Sequence, residues 1–173
     1  MTATRRLLFE QDAIAARVAE LGAEIARDYA GKTPMLLGVL NAAAVFLADL
    51  TRAIPIPAEF DLIAVTKYND REGIRFEKDT THSIEGRHIV IVEDTIDTGM
   101  TLQYIVKTLK ARNPASLAVC TLLDRPGSRI ADIDIAYRGF EIPDVYVVGY
   151  GLDYQGRFRE LPALYAHGDW PAK

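Results

Sequence analysis

Three carboxylates, Glu93, Asp94 and Asp97, stand between an aliphatic run and the tetrapeptide Thr98-Gly99-Met100-Thr101. The two halves suggest different chemistry. A turn of small and hydroxylated residues at the start of a helix offers backbone N–H groups and hydroxyls to an anion, most often a phosphate. Gly99 lets that backbone approach a ligand closely. Carboxylates beside a phosphate repel it, unless they face sugar hydroxyls, a hard divalent cation such as Mg²⁺, or a group that gains positive charge in a reaction. A plainer alternative is a solvated capping turn with Asp97 or Thr98 as the N-cap. The spacing matches neither GxxxxGK[ST] nor GxGxxG, the two best-known glycine-rich phosphate loops.

Such a site must be held by the elements around it. Residues 88–94, HIVIVED, form a continuous aliphatic run, the pattern of a strand buried on both faces in a parallel sheet. The following helix is expected over 101–114, stopped by Asn113 and Pro114. The acids then lie outside the carboxyl end of a strand, where open α/β sheets bind ligands. Residues 12–31 carry Ile14, Val18, Leu21 and Ile25 at helical spacing, with Gly31 as the stop. Strands are expected at 35–40, 60–68, 116–124 and in YRGF, with a last strand over 145–154, and a second helix at 42–54. Residues 69–87 are polar and unperiodic, the pattern of a mobile loop edged by short strand pieces. Alternating strands and helices predict an α/β fold with a central, mainly parallel sheet flanked by helices.

The 173-residue length suits one domain, 1–173. A net charge of -4 gives no global attraction to nucleic acid or an anionic membrane. No window approaches 18 apolar residues, and acids at Glu10 and Asp12 break any signal-peptide core. The lone Cys120, in LAVCTLL, reads as a buried thiol, which fits a reducing, cytoplasmic setting. Trp170, near the C-terminal end, is expected to pack back on the body or serve an interface.

The stretch V-x-V-E-D-x-x-D-T-G-x-T resembles the ribose-phosphate signature of type I phosphoribosyltransferases. LLGVLNAAAVFLADL, LLDRP and RGFEIPDVYVVGYGLDYQGRFRELP narrow the resemblance to the hypoxanthine-guanine branch, over about residues 7–164. The resemblance implies a small hood built from the N- and C-terminal segments. It implies transfer of hypoxanthine or guanine to 5-phosphoribosyl-1-diphosphate, with Mg²⁺ as cofactor, in a homodimer or homotetramer. Glu93 and Asp94 would bind the ribose, directly or through Mg²⁺. Asp97 would be the general-base candidate near purine N7, and residues Asp97, Thr98, Gly99, Met100 and Thr101 would cradle the 5′-phosphate. Asp153 would hold a second Mg²⁺ and Arg159 the diphosphate. Tyr146 would stack on the purine, and Val147 would read its edge through the backbone. Tyr68 would close over the diphosphate and exclude water.

The chain departs from the family pattern in three main places. The diphosphate turn reads Leu40-Asn41-Ala42 in place of Leu-Lys-Gly. Its backbone amides at Asn41 and Ala42 remain available, and the family often has a non-proline cis peptide there. The purine-reading lysine is Arg125, whose planar fork donates differently; Asp124 beside it is expected to aim or pair with that guanidinium. The mobile loop opens Lys67-Tyr68 in place of Ser-Tyr. Met100, where the family often has lysine, is a smaller change. These departures keep two alternatives open: a phosphoribosyltransferase for a different base, and a nucleotide-binding regulator without transfer activity.

Overall fold

In the computed structural model, residues 5–67 and 73–168 are described. Strand β5 (His88–Ile96) sits inside a six-stranded sheet. Its neighbours are β2 (Met35–Val39) and β6 (Ser116–Asp124), both parallel to it. β3 (Glu59–Lys67) continues the sheet in parallel beyond β2, and β7 (Tyr137–Glu141) does so beyond β6. The outer strand β4 (Ile74–Lys78) pairs antiparallel to β3.

Alternation along β5 divides the core in two. Val90 and Val92 belong to the cluster formed with α1 (Gln11–Asp28) and α2 (Ala43–Ala53). Ile89 and Ile91 belong to the cluster formed with Leu102, Ile105 and Leu109 of α3 (Met100–Lys110). All four are fully buried. Removing such side chains from water stabilises by roughly 1.5–3 kcal/mol each, which explains why this run is aliphatic on both faces. Helices therefore cover both faces of a sheet whose carboxyl end carries the acids. The stripe Ile14, Val18, Leu21 and Ile25 of α1 is buried, and so is Cys120.

A second, three-stranded antiparallel sheet joins the two ends of the described chain. Its order is β1 (Arg5–Phe9), β9 (Leu164–His167), β8 (Val147–Val148). The sequence pattern gave no sign of β1 or β9. The extended strand expected over 145–154 is limited to β8. Gly149 and Gly151 follow it at φ +99° and +97°, and Tyr150 at φ +49°, so the chain turns where a strand was expected. A side chain at Gly151 would put its Cβ 2.4 Å from the Ala42 carbonyl, so only glycine lets this turn rest on the segment before α2. The Tyr150 hydroxyl donates to Asp49 of α2 at 2.5 Å, a second tie between the same two elements.

Candidate active site

The strand end and its turn lie where the sequence pattern put them. The chain leaves β5 at Ile96 and enters α3 through Gly99, the N-cap, in the left-handed region at φ +79°. Neither Asp97 nor Thr98 serves as the capping residue, and the helix start has no side-chain cap. Its first amides are left for another acceptor. The nearest local contact, Met100 N–H to Thr98 Oγ1, is long at 3.5 Å. A concavity of about 210 Å³ opens here, lined by Glu93, Asp97, Thr98, Gly99 and Thr101 among others.

A larger cleft, about 580 Å³, lies alongside. Asp94, Asp97, Thr98, Arg125, Tyr146, Val147, Asp153 and Ala42 all line it. Successive strand residues point to opposite faces. Accordingly, Asp94 faces this cleft, whereas Glu93 lines the smaller concavity. Burial, and then the adjacent Asp94 carboxylate, push Glu93 well above the usual carboxylate range. Burial also pushes Asp94 up to about 6, although the charge of Arg159 pulls the other way. Burial thus makes charge on both neighbouring acids costly, which suits them to a cationic or hydrogen-bonding partner.

Arg125 is held firmly in the cleft wall. One Nη donates to the Val145 carbonyl at 2.7 Å, and the other lies 3.3 Å from Asp97 Oδ2. Its Nε is buried without a hydrogen-bond partner. The expected pairing of Asp124 with Arg125 does not occur. Asp124, 1% exposed, instead takes the guanidinium groups of Arg129 and Arg138. Adjacent residues at a strand end diverge, and only Arg125 turns toward the cleft.

Across the cleft, the turn after β8 brings Asp153 and Arg159 together. Arg159 forms a 2.7 Å ion pair with Asp153 and donates to the Gly151 carbonyl at 2.6 Å. Asp153 also accepts the Gly156 N–H at 2.7 Å. The Tyr146 hydroxyl donates to the Asp153 carbonyl at 2.8 Å, which fixes a ring that is 37% exposed at the cleft edge. Asn41 is exposed beside Ala42, and the Leu40–Asn41 peptide is cis. Tyr68 and Trp170 lie outside the described residues. Sequence reasoning missed Thr95, Ser128, Asp144 and Leu152, which complete the cleft wall. Of these, Asp144 carried a signal, since it closes the quoted motif GFEIPD.

Among the described residues, no group of three or more His, Cys, Asp or Glu side chains is arranged to hold a metal ion. Mg²⁺ seldom needs such a cage, because substrate phosphates and water fill most of its six positions. One or two carboxylates suffice, and buried Glu93 and half-buried Asp94 offer hard oxygen donors of that kind. No helix of the described residues is long and apolar enough to cross a membrane.

A mainly parallel sheet with acids and a phosphate-type turn at the end of an inner strand, beside a small antiparallel sheet whose Val147 lines the same cleft, defines a phosphoribosyltransferase-type protein. Residues 7–155 match the phosphoribosyl transferase domain model. A hypoxanthine-guanine phosphoribosyltransferase from Mycobacterium avium is 44% identical over 167 residues, covering 91% of this chain and 82% of that protein. One from Bacillus subtilis is 42% identical over 163 residues, covering 92% and 91%. The crystal structure of a hypoxanthine phosphoribosyltransferase from Staphylococcus aureus superposes with a TM-score of 0.90 at 38% identity, covering 94% of this chain and 90% of that one. The chain belongs to the hypoxanthine-guanine phosphoribosyltransferase family.

Proposed function

We propose that this chain joins hypoxanthine or guanine to 5-phosphoribosyl-1-diphosphate, releasing inosine or guanosine monophosphate and diphosphate. The observation that carries this reading is the common cleft of Asp94, Asp97, Arg125, Tyr146, Val147 and Asp153, next to the turn at 97–101. In this reading the amides and hydroxyls of Asp97 through Thr101 hold the 5′-phosphate. Glu93 and Asp94 bind the ribose from the two concavities, and the Asp94 carboxylate stabilises the positive character that grows at its anomeric carbon. A purine nitrogen forms the new bond to that carbon as the bond to diphosphate breaks, and Asp97 accepts the proton the base loses at N7. Arg125 offers donors only, so it favours a C6 oxygen over a C6 amino group. Tyr146 stacks on the ring and Val147 reads its edge. Arg159 and the amides of Asn41 and Ala42 hold the departing diphosphate.

Glu93 and Asp94 would hold the ribose directly or through Mg²⁺, and Asp153 would hold a second Mg²⁺, which would neutralise diphosphate charge. We take the β1–β9–β8 sheet as the hood of a single domain, 1–173, and Tyr68 as a water-excluding residue. A homodimer or homotetramer in the cytoplasm is part of the same proposal, supported by the family and by the free, buried Cys120.

The test is turnover. With 5-phosphoribosyl-1-diphosphate, Mg²⁺ and hypoxanthine or guanine, the purified protein should yield nucleotide and diphosphate in equal amounts, and EDTA should stop it. Binding of the phosphoribosyl substrate with no nucleotide from any base would overturn the proposal in favour of a regulator without transfer chemistry.

A further inference from the structure

Arg129 lines neither of the two concavities described above, yet it touches the turn between them. We infer that Arg129 is a positioning residue that aims the amides of the phosphate cradle, braced from behind by buried Asp124; the inference rests on the 5′-phosphate reading of residues 97–101.

Three successive carbonyls at the end of β5 are tied back to the segment that follows β6. The Ile96 carbonyl accepts the Arg125 N–H at 3.0 Å. The Asp97 carbonyl accepts Arg129 Nε–H at 3.1 Å. The Thr98 carbonyl accepts two N–H groups, Ile130 at 3.0 Å and Ala131 at 2.9 Å. A trans peptide unit is planar, and its C=O and N–H point in opposite directions. Drawing the carbonyls of 96, 97 and 98 toward this segment therefore turns the N–H groups of Asp97, Thr98 and Gly99 away from it. The middle carbonyl of the three is held by a side chain, so the clamp depends on Arg129 at that point.

The side chain is itself fixed. One Nη of Arg129 pairs with Asp124, and the same nitrogen lies 3.5 Å from the Ile96 carbonyl. Its aliphatic stem also meets the turn: a Cβ built on Gly99 would stand 3.1 Å from Arg129 Cδ. The guanidinium thus bridges the ends of β5 and β6, the one carrying the cradle and the other Arg125. Asp124 has a second partner, Arg138 Nε at 2.9 Å. Loss of Arg129 consequently leaves the buried carboxylate paired, which favours a folded variant whose defect is local.

Steady-state kinetics on the wild type and Arg129→Gln separate this role from general damage. The variant should raise KM for 5-phosphoribosyl-1-diphosphate and the inhibition constant of inosine monophosphate by roughly tenfold each, with KM for hypoxanthine within about twofold of wild type. Arg129→Lys keeps a cation over Asp124 without the fork that also reaches the carbonyls. It should show the same selective rise, and it carries the comparison if Arg129→Gln does not fold. Unchanged phosphate-side constants in these variants, or an equal rise on the base side, would overturn the positioning role. An inactive wild type would refute the transfer reading instead, so the two failures are distinguishable.

Discussion

Replacing Arg125 by methionine removes the guanidinium while keeping much of its apolar stem. Two contacts are lost: the 2.7 Å bond to the Val145 carbonyl and the 3.3 Å pairing with Asp97. Asp97 is 54% exposed and remains solvated. Its pairing with Arg125 is therefore worth little to stability. The buried carbonyl contact is worth more, and its loss should cost about 1–3 kcal/mol, or a fall of roughly 2–12 °C in Tm for a chain of this size. The effect on catalysis should be selective. A charged donor to a C6 oxygen contributes roughly 1.5–3 kcal/mol, so kcat/KM for hypoxanthine and guanine should fall about 10- to 150-fold. Adenine, whose C6 amino group gains nothing from Arg125, should lose little, and the preference for 6-oxopurines should narrow by the same factor. Steady-state assays with all three bases, beside thermal melts, measure both effects. Unchanged 6-oxopurine turnover in a folded variant, or an equal loss for adenine, would refute the role given to Arg125.

Three further substitutions probe separate parts of the structure. Asp97→Asn should lower kcat by roughly 10²- to 10⁴-fold with little change in KM if it accepts a proton; parallel losses in ground-state binding would point to a structural role. Asp94→Asn should stabilise the ligand-free protein at pH 7.5. The folded pKa, about 6, lies above the ordinary 3.8, so the ionised form is the costly one and its cost disappears as pH falls through that interval. The gain should be about 1–3 kcal/mol at pH 7.5 and vanish below about pH 4, with activity lost throughout; urea melts at both pH values check it. Asp61→Asn should act in the opposite direction. Burial would raise the Asp61 pKa, but N–H groups of Thr81 and Leu62 and the Lys78 ammonium outweigh it and hold it at about 2. Its stabilisation is complete above the unfolded value near 3.8 and is lost as pH falls through about 2. The variant should be about 2 kcal/mol less stable at pH 7 and match wild type near pH 1–2, as denaturant titrations would show.

The central strand was legible because its pattern is local. The run at 89–92 must be buried on both faces, and α1 announces itself by the spacing of Ile14, Val18, Leu21 and Ile25. β1 and β9 were not legible, because short strands such as RRLLF and LYAH take their form from pairing across nearly the whole chain, Arg5 opposite His167. The stretch 145–154 misled because its aliphatic and aromatic residues look extended, while Gly149 and Gly151 bend it over α2. At the site, the acids and the turn at 93–101 could be read directly, since strand, ligand loop and helix follow one another in sequence. The ion pairs could not. Asp97 with Arg125, and Asp124 with Arg129 and Arg138, depend on which way neighbouring side chains leave a strand end. The Leu40–Asn41 peptide, left open by the departure from Leu-Lys-Gly, is cis with asparagine and alanine in place.

The most direct measurement is a crystal structure of the protein with inosine monophosphate. The 5′-phosphate should lie within hydrogen-bond distance of the amides of residues 98–101, with the ribose hydroxyls toward Asp94 and Glu93. The purine should rest on Tyr146 with its C6 oxygen at Arg125. A phosphate bound at Asn41 and Ala42 with the turn at 97–101 empty, or a purine outside the cleft between Arg125 and Tyr146, would contradict this account.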